Sequence, residues 1–179
     1  VTITSFCEIS AMPDSITSIG EYAFSHCTSL TNISVPKSVK TLRSRTFENC
    51  TSLTSIIIPD NVSKIEENAF KECAALNDIT ITRCGSFQII PFNIYVNGKL
   101  LCKMNADGVI VATPTGSTGY NMSAGGPIAQ PAGKMIILTP ICSHSLSAKP
   151  IILSANKEIS VKATTNKRCE IYLSDPAFR

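Results

Sequence analysis

Three stretches decide the reading of this chain: A-F-S-H-C-T-S-L-T-N-I-S-V (Ala23–Val35), T-F-E-N-C-T-S-L-T-S-I-I-I (Thr46–Ile58) and A-F-K-E-C-A-A-L-N-D-I-T-I (Ala69–Ile81). They are spaced 23 residues apart, and the same period runs through Pro13, Pro36 and Pro59. Phenylalanine, cysteine, leucine and isoleucine each hold a column: Phe24/Phe47/Phe70, Cys27/Cys50/Cys73, Leu30/Leu53/Leu76 and Ile33/Ile56/Ile79. The last column is Val35/Ile58/Ile81. A fixed period with apolar columns predicts a solenoid, in which each unit buries its face against the next. Within a unit, Leu30–Val35 alternates loosely, is rich in β-branched residues and stops at Pro36, so it reads as a strand. The segment around Ala23, Phe24 and Cys27 reads as a tight turn or one helical turn rather than a long helix.

Outward from the repeats, the composition narrows the possible functions. The chain has 179 residues, 44% apolar and 16% charged, which suits a globular core and excludes a disordered charged tail as its main content. Apolar runs such as Met135–Leu138 are far shorter than the ~20 residues of a membrane span. The first residue is Val1, and no charged-then-apolar leader opens the chain, so a processed or truncated product is expected. Charge is uneven: residues 13–82 hold six Lys/Arg against eight Asp/Glu, whereas residues 83–179 hold ten against four. A basic half suits an anionic ligand, and equally suits solvated surface lysines. No basic run interleaved with aromatics points to nucleic acid. The eight cysteines form no C-x-x-C, and His26 and His144 fit no zinc pattern, so buried reduced thiols are expected and no metal site. Cys84, Cys102, Cys142 and Cys169 favour a reducing compartment.

The periodicity ends at Thr82. Beyond it stands N-A-D-G-V-I-V-A-T-P-T-G-S-T-G-Y-N-M-S-A-G-G-P (Asn105–Pro127). Val109–Ala112 reads as a short buried strand running into a loop of small residues. Such a loop lets a ligand approach the main chain, and Thr115, Ser117, Thr118 and Ser123 each add a donor and an acceptor. Tyr120 offers a flat face for stacking. No Gly-Lys-Ser/Thr follows, so this is not a Walker loop. A polar β-loop without a ligand has the same composition.

The complete string is more specific. It resembles the nucleotide-binding core of NAD kinases, with its D-G-x-x-V-x-T-P-[TS]-G-[ST]-T-[AG]-Y and following G-G-[PA] turn. Leu138–Ser147, Ile94–Leu101 and Ala75–Arg83 are similar to further segments of that family, in the same order. The repeats resemble the leucine-rich repeats of BspA-like surface antigens over residues 13–82. The fold class this implies is mainly β, a short leucine-rich-repeat solenoid followed by an incomplete NAD-kinase-type β-sandwich domain. The expected parts are residues 1–82 and 75–179, sharing a junction at 73–82.

The NAD kinase resemblance implies roles position by position. Asn77 and Asp78 match the pair that holds ribose hydroxyls of the dinucleotide. Asp107 and Thr118 match residues near the adenine, and Gly119, Tyr120 and Ser123 match adenosine contacts, often supplied across a subunit interface. Thr115 belongs to the same loop. The ligand implied is NAD or NADP, with ATP and a divalent metal as further family partners, a homotetramer, no membrane and a cytoplasmic location. The sequence departs from the family at Ser143 for proline and at Lys149 for arginine, which loses a planar fork. The family's G-G-D-G motif is absent, so no catalytic residue is assigned and the chain alone is expected to be catalytically silent. The alternatives are a repeat module that docks a protein partner, at the cell surface, and a chimeric fragment without function of its own.

Overall fold

In a computed structural model of the chain, residues 12–66, 68–82, 89–144, 148–164 and 168–172 are described, without the side chains of Thr164 and of 168–172. Asn32–Ser34 (β1), Ser55–Pro59 (β3) and Asp78–Thr82 (β5) lie parallel in the register that the repeat demands, with Ile33 opposite Ile56 and Ile56 opposite Ile79. Two shorter strands, Thr41–Leu42 (β2) and Lys64–Ile65 (β4), repeat the arrangement on the other side of each turn. Between the strands the chain makes turns, and of the two alternatives for the segment around Ala23, Phe24 and Cys27 it takes the turn.

Each repeated residue type has a separate physical task. The phenylalanines stack with nearly parallel rings, with centroids 5.2 Å apart for Phe24–Phe47 and 5.5 Å for Phe47–Phe70. Such pairs add roughly 0.5–1.5 kcal/mol beyond their area burial. The cysteines are buried reduced thiols, and two of them donate to main-chain carbonyls of the preceding unit: Cys50 Sγ to Phe24 O at 3.0 Å and Cys73 Sγ to Phe47 O at 3.1 Å. The neighbouring Cys73 and burial both push the Cys50 thiol up, so it stays protonated and inert. Corner residues at two repeat positions, Tyr22/Arg45/Asn68 and His26/Asn49/Glu72, take left-handed backbone with φ between 56° and 61°. That conformation disfavours side chains other than Asn, Asp or Gly, and packing of the turns overrides the preference here.

Strand β5 is where the repeats meet the rest of the chain. One edge pairs parallel with β3, and the other pairs antiparallel with Gly108–Ala112 (β8). The sheet continues through Met135–Ile141 (β9) to Ile151–Ser154 (β10), giving the order β1-β3-β5-β8-β9-β10. The second sheet holds β2 and β4 together with Ile90–Val96 (β6), Lys99–Ala106 (β7), Ile159–Thr164 (β11) and Arg168–Tyr172 (β12), in the order β2-β4-β12-β11-β6-β7. The hairpin expected around Ile94–Leu101 is β6–β7, turning at Asn97 and Gly98, both with positive φ. Both sheets therefore run unbroken from the repeats into the second half.

Alternation along the strands separates two apolar layers. Ile33, Ile56, Ile79, Val111 and Leu138 form one cross-strand row and face a large core with Phe92, Ile94, Val161 and Leu42. Ile110, Ala112 and Ile137 face the opposite way, into a small cluster with Ala124, Ala129 and Ile141. No helix among the described residues is long and apolar enough to cross a membrane. Cys84 lies outside the described residues, as do Ser145–Ser147 at the end of the Leu138–Ser147 segment and the side chain of Cys169.

Because Phe47 is fully buried between two stacked rings, Phe47→Ala is expected to destabilise the fold by about 3–5 kcal/mol. Urea unfolding of the two proteins checks this, with a loss below about 1 kcal/mol counting against the stack as a main support.

Candidate functional site

The outer face of the first sheet carries the site. Cross-strand partners Asn32, Ser55, Asp78, Ala112 and Ile137 form one row across that face, and Ser34, Ile57, Thr80, Ile110 and Thr139 form the next. Over β8 and β9 the face is covered by Thr113–Ala129, whereas over β3 it is open and Ile57 is 46% exposed. Asn77 and Asp78 stand where the cover ends.

Thr113 ties the cover to β5. Its N–H donates to Asn77 O at 2.8 Å, and its hydroxyl reaches Asn77 O at 3.1 Å and Leu76 O at 3.2 Å. The same hydroxyl accepts from Gly116 N at 3.1 Å and so starts the 3-10 turn Thr115–Thr118. A Cβ on Gly116 would overlap the Asn77 backbone, so only glycine lets the turn close on β5. Tyr120–Ser123 (α1) follows, and Asn121 fastens it from below. The Asn121 amide donates to Ser117 O at 3.0 Å and Pro127 O at 2.9 Å, and its oxygen accepts from Thr139 Oγ1 at 2.6 Å. Buried and fully bonded, Asn121 locks both ends of the loop onto β9.

Asp78 is 3% exposed. Ser55 Oγ and Thr80 Oγ1 both donate to its Oδ1, at 3.0 and 3.3 Å. Its Oδ2 faces the Gly119 backbone, where an added Cβ would meet it at 3.8 Å. Burial raises the pKa of this carboxyl, against the lowering effect of the Ser55 and Thr80 hydroxyls. A buried carboxylate of raised pKa beside a glycine turn is a candidate for ligand binding.

The structure brings Asn77, Asp78, Thr115, Thr118 and Gly119 together at this end of β5 and β8. Tyr120 is 46% exposed on α1, and Ser123, also exposed, closes the helix. Asp107 is elsewhere. It precedes β8, five residues from Ala112, which puts it about 17 Å from the row of Asp78. There it pairs with His144 Nε2 at 3.6 Å. Ser143, at the family's proline position, donates to Asn105 O at 3.3 Å, and His144 N donates to the same carbonyl at 3.0 Å. Lys149 is exposed. Thr113, Asn121 and Ser55 were not singled out as site residues from sequence. The T-P-T-G string holds a signal for Thr113, but the partners of Asn121 and Ser55 come from distant strands.

Residues 76–175 match the ATP-NAD kinase C-terminal domain. The chain belongs to that family. Residues 4–103 also match the BspA type leucine rich repeat region, so the two matches overlap across β5 and most of the β6–β7 hairpin. The NAD kinase of Agathobacter rectalis is 56% identical over 89 residues, 50% of this chain and 31% of that protein. That of Lachnospira eligens is 53% identical over 89 residues, 50% and 30% of the two chains. The chain thus spans about a third of the length of these curated relatives. Among solved structures, yeast NADH kinase complexed with NADH gives a TM-score of 0.48 at 43% identity, over 50% of this chain and 25% of that one. An NAD kinase from Archaeoglobus fulgidus in complex with ATP gives 0.47 at 36% identity, over 51% and 36%.

Two outcomes follow from the geometry. A raised pKa means that the folded state holds the Asp78 proton to higher pH than the unfolded state, so ionisation at neutral pH costs stability. Asp78→Asn is therefore expected to melt higher than the parent at pH 7, with the difference gone near about pH 3, where both states are protonated. Thermal melts across that range check the sign. Asn121→Ala, which strips three buried hydrogen bonds, is expected to cost about 2–4 kcal/mol by chemical denaturation.

Proposed function

We propose that this chain forms the dinucleotide-binding part of an NAD kinase-type phosphotransferase, which uses ATP to phosphorylate the 2′-hydroxyl of the adenosine ribose of NAD. The observation that carries this is the junction of Asn77–Asp78 with the Thr113–Gly119 turn, in a chain of the ATP-NAD kinase C-terminal domain family. A vicinal diol donates two hydrogen bonds, and an ionised Asp78 with Oδ2 turned toward Gly119 can accept them. Asn77 adds an amide donor. Thr115, Thr118 and Gly119 form the adjacent wall, and exposed Tyr120 gives the adenine a flat surface. Ser123 offers a hydroxyl one helical turn further on.

Asp107 stands at the other end of β8, about 17 Å from the row of Asp78, away from an adenine stacked on Tyr120 beside a ribose held at Asp78. Its proposed adenine contact therefore comes from a second copy in a homo-oligomer, in line with the family expectation. The role of this chain is to bind and orient the ribose while the phosphoryl donor is held elsewhere. Among the described residues no group of three or more His, Cys, Asp or Glu could hold a metal ion. A cytoplasmic location accompanies this reading.

The test is a thermal-shift titration with NAD and with NADP. Ligand at a hundredfold excess over Kd is expected to raise Tm by about 5–10 °C, and Asp78→Ala to lose the shift. No shift with either dinucleotide at millimolar concentration refutes the proposal.

A further inference from the structure

Asp78 belongs to the family-matching part of the chain, but the shorter of the two hydrogen bonds to its carboxylate comes from the repeats. Ser55 lies on β3 as the direct cross-strand partner of Asp78, and it occupies the same repeat position one unit earlier. Its Oγ donates to Oδ1 at 3.0 Å, against 3.3 Å for Thr80. The backbone is held in the same place, because Asn77 N donates to Thr54 O at 2.8 Å, and Thr54 N donates to Thr31 O at 2.8 Å. The repeat stack thus sets both the height of the Asn77–Asp78 backbone and the rotation of the carboxylate.

We propose that Ser55 is a positioning residue of the dinucleotide site: it holds Asp78 by Oδ1 so that Oδ2 is presented beside Gly119 to the ribose hydroxyls. The ligand half of this inference rests on the function proposed above. The groups facing the carboxyl are Ser55 on β3, Thr80 on β5, Ala112 on β8 and Gly119 in the loop, and none is charged. No ionic contact among the described residues competes with the hydroxyl for orienting it. Because Ser55 stabilises the ionised form, its removal raises the Asp78 pKa further and moves ligand binding to higher pH.

The experiment has two arms on the full chain. In the first, the Asp78 carboxyl carbon is titrated by NMR without ligand in the parent, Ser55→Ala and Ser55→Thr proteins. The alanine variant should titrate at higher pH and the threonine variant should return to the parent value. An unmoved titration in Ser55→Ala overturns the positioning role whether or not the protein binds a dinucleotide. In the second arm, NADP Kd is measured across pH. Ser55→Ala is expected to weaken binding about tenfold near neutral pH and to recover part of the loss at higher pH, with Ser55→Thr close to the parent. If the parent binds, Asp78→Ala does not, and Ser55→Ala binds as the parent does, the inference fails while the proposed function stands. Parent protein that binds neither NAD nor NADP overturns the proposed function together with the ligand half of the inference.

Discussion

Everything in this structure depends on β5 being paired on both edges at once. Its parallel ladder to β3 continues the repeat, with Ser55 opposite Asp78 and Ile56 opposite Ile79. Its antiparallel ladder to β8 puts Asp78 opposite Ala112, at the point where the Thr113 turn begins. A strand with one edge open would leave a row of main-chain donors and acceptors for any passing chain. Closing both edges aligns two unlike sequence patterns in one register, and a slip of one residue would exchange Ile79 with Asp78 between core and outer face.

That register explains why the site sits where it does. Ile79 and Ile81 take the inner face and are fully buried, so Asp78 and Thr80 must take the outer one. The loop after β8 then folds back over them, held by Thr113 on the near side and Asn121 on the far side. A buried carboxylate is unfavourable for the fold, and burial accordingly pushes the Asp78 carboxyl pKa up. Conflicts of this kind between stability and local chemistry collect at binding sites. Among the described residues Asp78 is surrounded by hydroxyls and glycine backbone without a cationic partner, the arrangement on which the proposed ribose contact rests.

The repeats are also more than a neighbouring unit. Their cysteines are structural: each thiol of Cys50 and Cys73 is spent on a carbonyl one unit back, and the phenylalanines stack in line. This packing fixes the position of Thr54 and Ser55, and through them Asn77 and Asp78. The repeat period and the candidate site are mechanically continuous, because both reside in the same sheet.

Much of this is legible from sequence, for a physical reason in each case. The 23-residue columns carry the parallel stack, since a residue type required by packing recurs wherever the packing recurs. The D-G-V-I-V-A-T-P-T-G string carries the buried strand and the tight turn, because small residues are demanded wherever backbones touch, as at Gly116 against Asn77. The candidate site residues come from two separate segments, Ala75–Arg83 and Asn105–Pro127, and Asn77 and Asp78 of the first do stand beside the Thr113–Gly119 turn of the second. What only the tertiary structure decided is how residues far apart in the chain act on one another. It removes Asp107 from the cluster to the far end of β8, closes Asn121 onto Thr139, and turns Ser55 into the partner of Asp78. Local sequence holds no trace of the first two, because they depend on the pairing of whole strands; the repeat column does place Ser55 opposite Asp78, but the contact of their side chains comes only from the tertiary structure.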